Sequence, residues 1–190
     1  MRIGKQIGRI FGGDPLAVPA RGIYEAIVLQ ARQPAFYTAC GVPDSLDGRF
    51  ELVALHAFLV LRRLNRGGDS AADLAQMLVD TLVQDMDRSL REMGVGDLGV
   101  SRRVKEMARG FYGRIAAYEA GLDGSEDMLR AAMTRNLYGT VEAVPESALA
   151  AMTTYIRREA AGLDDQDLKD LMAGTVAFGP PPEGHGSETA

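Results

Sequence analysis

The chain has little that could cross-link it or hold a metal unaided. Its 190 residues include one cysteine, Cys40, two histidines, His56 and His185, and no tryptophan. A single cysteine excludes an intrachain disulfide and gives no sign of an oxidising compartment. A zinc site built from cysteine and histidine alone needs more ligands than these. There is no run of about 18 apolar residues, the length a membrane-spanning helix requires. No stretch of roughly 4–8 residues alternates apolar and polar positions with β-branched enrichment, so no strand is legible. A phosphate-cradling glycine loop is also missing, because Gly94-Val95-Gly96 follows a helical pattern rather than a strand. What remains is ordinary for a globular protein, with 46% hydrophobic and 25% charged residues. A chain of this length buries about 70% of its unfolded surface and can build a core without staples.

The apolar residues that are present recur at helical spacing. A first helix is expected from near Gly22 through Tyr24, Ile27, Val28 and Ala31, interrupted by Pro34, with a short turn through Phe36 and Tyr37. From Gly48 to Arg66 the chain is apolar almost all round, which marks a helix in the middle of the core. Arg62, Arg63 and Arg66 crowd its last turn, where cations suit the helix dipole. A long helix follows to about Met93, with Ser70 placed as its cap and a stripe of Leu74, Leu78, Leu82, Met86 and Leu90. Ser101 is the expected cap of the next, with Val104, Met107, Phe111, Ile115 and Tyr118 facing inward. Ser125 opens a shorter helix and Pro145 another that ends at Gly162. Asp164 or Asp165 caps a last short one. The fold class is therefore all-α, a single helical domain of about six or seven helices over 21–175. An N-terminal arm precedes it over 1–20, and a Pro/Gly-rich tail, expected to be disordered, follows over 176–190.

Net charge is −5, which argues against a general nucleic-acid binder and excludes DNA as a partner, but the distribution is uneven. Residues 100–115 carry Arg102, Arg103, Lys105, Arg109 and Arg114 against Glu106 alone. Arg102, Lys105 and Arg109 fall on the face opposite the apolar stripe, a candidate patch for an anionic partner. At the N-terminus Ile3, Ile7, Ile10 and Phe11 share one face and Arg2, Lys5 and Arg9 lie roughly opposite. A short basic amphipathic segment of this kind suits an anionic membrane surface, and those four apolar residues are the expected membrane contact.

Catalytic machinery is not legible. Asp80, Asp85 and Asp87 share a helix, but no matching acidic or histidine motif accompanies them, so pairing with nearby arginines is the expectation over a metal centre. His56, inside the most apolar helix, reads as a satisfied buried residue, and Cys40 has no base beside it in sequence. The reading is of a non-enzyme with no cofactor, no metal and no small-molecule substrate. Most of the nine methionines fall on core stripes, although methionine also suits surfaces that accept varied apolar segments.

One order of residues goes further. Leu46-Asp47-Gly48-Arg49-Phe50-Glu51-Leu52 is followed by Leu55-His56, then Leu78-Val79-Asp80 and Asp85-Met86-Asp87. Next come Leu90-Arg91-Glu92-Met93-Gly94-Val95-Gly96-Asp97 and Phe111-Tyr112-Gly113-Arg114. This order resembles the ubiquinol–cytochrome c chaperone family, assembly factors for respiratory complex III, over roughly Tyr24 to Leu137. The resemblance implies a chaperone for newly made cytochrome b. Mitochondrial members act with a partner protein near the ribosomal exit tunnel. The chain has no evident Arg/Ser-rich leader and looks like a bacterial member, expected in the cytoplasm and at the inner face of the inner membrane. With the basic face, Arg91 and Asp97 of the most specific run complete the expected partner-binding set. Its partners would be cytochrome b as client and the ribosome or an anionic membrane. The competing reading is a helical lipid- or small-ligand-binding protein at the inner membrane surface.

Overall fold

The computed structural model describes residues 14–183; the expected membrane contact of Ile3, Ile7, Ile10 and Phe11 lies outside them, as do His185 and the end of the tail. Among the described residues eight helices follow one another: α1 (Ala17–Ala31), α2 (Pro34–Thr38), α3 (Leu46–Asn65), α4 (Asp69–Glu92), α5 (Asp97–Asp123), α6 (Glu126–Arg135), α7 (Glu146–Asp165) and α8 (Leu168–Met172). No strand occurs among the described residues. The all-α expectation holds. The count rises by one over the upper expectation because the turn expected through Phe36 and Tyr37 is a five-residue helix, α2.

The apolar run of α3 places it at the centre, in contact with α1, α4, α5 and α7. From Leu52 to Leu61 nearly every residue is buried. A helix enclosed on all sides cannot show an amphipathic pattern, which is why its sequence reads as uniformly apolar. Ser45 starts it by accepting the Gly48 N–H on Oγ at 3.1 Å. Gly48 itself is required by closeness: a Cβ there would stand 2.0 Å from the Pro43 carbonyl oxygen. At the other end Arg63 donates to the Leu163 and Gln166 carbonyls at 2.9 Å each, adding to the Gln166 N–H that Leu163 accepts at 3.3 Å. Arg62 and Arg66 meet Glu119, Asp123 and Asp164, joining α3 to α5 and α7.

Several expected boundaries shift, each for a local reason. α1 begins at Ala17 rather than near Gly22, and Ala20 is fully buried, so residues 17–20 belong to the domain and not to an arm. Pro19 is tolerated because it lies in the first turn, where N–H groups have no intrahelical acceptor. α4 is preceded by Gly68 at φ 85° rather than capped by Ser70. α5 starts at Asp97, one turn before Ser101, with that acid in its first turn. α7 runs through Gly162 to Asp165, and α8 is capped by Asp167, whose carboxylate accepts the Lys169 N–H.

The expectation of disorder from 176 does not hold for residues 176–183, which lie against the domain. Phe178 stacks edge-on to His56 with ring centroids 5.3 Å apart. The Gln166 amide both donates to the Ala177 carbonyl and accepts its N–H, and Glu159 accepts the Gly179 N–H at 2.8 Å. Composition suggested a solvated Gly-Pro segment, but a segment of this kind can still be pinned when side chains satisfy its backbone.

Candidate functional site

A groove of about 760 Å³ lies among α1, the start of α3, α4, α5 and the turn after α6. That volume lies in the range typical of ligand sites. On α1 the lining residues are Tyr24, Val28 and Arg32, one stripe at four-residue spacing. On α4 they are Leu82, Asp85, Met86, Ser89, Leu90 and Met93, one face over three turns. α5 contributes Arg103, Glu106, Met107 and Arg114. Phe50 and Val53 of α3 stand between, and Leu46, 63% exposed, lines the groove as well.

Two polar contacts fix the walls. The Tyr24 hydroxyl donates to Asp85 at 2.7 Å, tying α1 to α4; burial and that carboxylate push the phenol well above its usual range. Arg114 grips Glu51 in a two-pronged pair, with Nε at 2.6 Å from Oε2 and Nη2 on Oε1. The Glu51 side chain is only 8% exposed, and the Arg114 guanidinium also lies over the Phe50 ring, 5.6 Å from its centroid. Bidentate geometry of this kind compensates desolvation that a lone buried carboxylate could not bear. Below the pair, the fully buried Tyr118 hydroxyl has no hydrogen-bond partner among the described residues. Burial and the nearby Glu51 charge raise its pKa.

The expected partner-binding residues fall elsewhere on the same two helices. Arg102, Lys105 and Arg109 are exposed and lie within about 60° of one another around α5, so the basic face exists as one surface. Arg102 approaches Glu106 at 4.0 Å; no ion pair within 4 Å involves Lys105 or Arg109 among the described residues. Arg91 pairs with Asp87 and Asp97, both at 2.5 Å, so Arg91 and Asp97 brace the α4–α5 corner against each other. The groove side of α5 instead presents Arg103, about 120° round the helix from the centre of the basic face. Arg103 and Arg114 belonged to the basic run; helical spacing left them off the basic face, but nothing in the sequence assigned them to a groove. Glu51 did carry a signal, as a carboxylate inside the most apolar helix.

The other candidates resolve as structural. Asp80 accepts a hydrogen bond from Gln76, Asp85 from Tyr24, and Asp87 pairs with Arg91. No group of three or more potential ligands is placed for a metal among the described residues. Cys40 is buried, which pushes its thiol up to about 11 and leaves it little thiolate. His56 is buried with Nδ1 at 2.7 Å from the Leu52 carbonyl and Nε2 at 2.7 Å from the Tyr155 hydroxyl. No helix among the described residues is long and apolar enough to cross a membrane.

Comparison with known proteins bears on what this groove and basic face serve. The profile of a family described as "Ubiquinol-cytochrome C chaperone" matches residues 38–178. The crystal structure of the Cbp3 homolog from Brucella abortus superposes with a TM-score of 0.76 at 38% identity, covering 86% of this chain and 91% of that one. Ubiquinol-cytochrome-c reductase complex assembly factor 1 of Xenopus laevis is 25% identical over 166 residues, 87% of this chain and 82% of that protein. The Homo sapiens protein is also 25% identical, but the chain spans only 55% of its length.

Proposed function

Because the chain belongs to the ubiquinol–cytochrome c chaperone family, we propose that it is an assembly factor for ubiquinol–cytochrome c reductase that holds newly made cytochrome b until it is incorporated. The family match over residues 38–178 carries this reading. The geometry supports it, with an apolar groove for a client and a basic face for an anionic platform. A binding role suits the groove's inner carboxylates, Glu51 and Asp85, which are engaged by Arg114 and Tyr24.

The basic face of Arg102, Lys105 and Arg109 is the surface for the membrane or the ribosome. Phosphate contacts orient without specifying, and they weaken as salt rises. Such contacts would hold the protein at the inner face of the inner membrane while the groove stays available.

The test is affinity capture of the tagged chain from cells whose translation has just been arrested, beside a deletion strain. Cytochrome b enriched above other membrane proteins in the capture, with complex III depleted in the deletion strain, is the expected result. Normal cytochrome b and complex III in the deletion strain would overturn the reading. Recovery of lipid without cytochrome b would favour a ligand-binding protein instead.

A further inference from the structure

We propose that the groove receives about three turns of a client helix whose apolar stripe ends in a carboxylate, and that Arg103 takes that carboxylate. This inference rests on the chaperone reading and names what that site selects.

The dimensions come from the walls. The α4 stripe from Leu82 to Met93 and the α5 stripe from Arg103 to Arg114 each span eleven residues, about 16 Å at 1.5 Å per residue. Three turns of a helix occupy the same length. The α1 stripe, Tyr24, Val28 and Arg32, runs for two turns more. Walls made of helical stripes suit the ridges of another helix.

The chemistry of the lining narrows the occupant. Met86, Met93 and Met107 supply flexible thioether surface that adapts to differing apolar side chains. Leu46 and Met93, 63% and 50% exposed, are two of the large apolar side chains left most open to solvent in the described protein, and both line this groove. An occupant would remove them from water. The inner polar groups are already matched: Glu51 by Arg114, Asp85 by Tyr24 and Arg88. Arg103 and, at the far wall, Arg32 are exposed and take part in no ion pair within 4 Å among the described residues, and Glu106, one turn on from Arg103, is approached by Arg102 at 4.0 Å. Arg103 lies in the second turn of α5, and Met93 closes α4 only four residues before that helix begins, so cation and open apolar surface belong to one end of the groove. A carboxylate at the end of an apolar stripe complements that arrangement, whereas a lysine there would face a like charge. The bare acyl chain of a lipid fits less well, because it would lie against the Glu51–Arg114 pair with nothing polar to offer it.

The experiment uses the full chain and a fluorescein-labelled 18-residue helical peptide of leucine, alanine and serine, its apolar stripe ending in glutamate. A twin carries lysine at that position. Anisotropy should show the glutamate peptide binding at least about tenfold more tightly than the lysine peptide. Arg103→Glu, an exposed substitution, should invert that preference. Ser89→Trp should block both peptides while thermal melting stays unchanged. Equal binding of the two peptides, preference unaltered by Arg103→Glu, or displacement of the peptide by phosphatidylglycerol vesicles would overturn the inference. In cells the two levels separate. If deletion of the chain depletes complex III and both variants restore it, the groove inference fails while the assembly function stands. If deletion leaves complex III intact, the function itself fails. Variants that accumulate normally and do not restore complex III support the groove.

Discussion

Acidification should destabilise this protein through His56. The imidazole has no exposed surface. Its Nδ1 faces the Leu52 carbonyl, which can only accept, so Nδ1 carries the proton and Nε2 accepts from the Tyr155 hydroxyl. That hydroxyl accepts in turn from the Gln30 amide at 2.9 Å. The chain of bonds is complete for a neutral ring and leaves no solvation for a charged one. Burial accordingly lowers the folded-state pKa to about 4, against a partial upward pull from the Leu52 bond. An unfolded histidine titrates near 6.5. Between those values the unfolded chain binds more protons than the folded one, so stability is intact above about pH 6.5 and falls as pH drops toward 4. At about 1.4 kcal/mol per pH unit, the loss between pH 7.5 and 5 is about 2 kcal/mol. Urea unfolding at those two pH values measures it, with His56→Gln as the reference. Remaining titrations are common to both chains, so the substitution should shrink the pH-dependent loss by about 2 kcal/mol whatever it does to stability at pH 7.5. An equal loss in both chains would refute the reasoning.

Three further outcomes follow from particular contacts. Phe111→Ala empties a fully enclosed site on α5 and should cost about 3–5 kcal/mol in urea unfolding; unchanged stability would mean that this face does not pack as described. Gly48→Ala would gain up to about 1 kcal/mol in an unobstructed helix, but the Pro43 carbonyl makes it a loss of about 1–3 kcal/mol, so the sign of the change decides the matter. Charge reversal at Arg102 and Arg109 should alter stability by less than about 0.5 kcal/mol, because both are exposed. It should also weaken sedimentation with anionic vesicles or ribosomes in low salt, and loss of folding would show those arginines to be structural.

Much of this protein was written locally. The spacing of apolar residues gave the long helices, and the uniform apolarity of α3 announced its central position, because both depend only on which side chains must leave water. The satisfied state of His56 and the capping of α6 by Ser125, whose Oγ accepts the Met128 N–H at 3.3 Å, were legible for the same reason. Helix ends were less legible. Whether Gly162 stops α7 depends on whether the carbonyls beyond it find donors, and one of these is Arg63, a hundred residues away. The Gly-Pro segment after 176 could not be told from a free tail, because Glu159 and Gln166 meet its backbone only once it turns back along α7, and Gln30 only once α1 reaches Tyr155. The groove was likewise absent from the sequence as a unit. Tyr24 and Asp85 are sixty-one residues apart and Glu51 and Arg114 sixty-three, and helical periodicity reports which face of each helix turns inward but not which inward faces fail to close on one another. That gap is decided by the packing of α1, α3, α4, α5 and the turn after α6, and it brings Arg103 to the groove, a position that helical periodicity left outside the basic face.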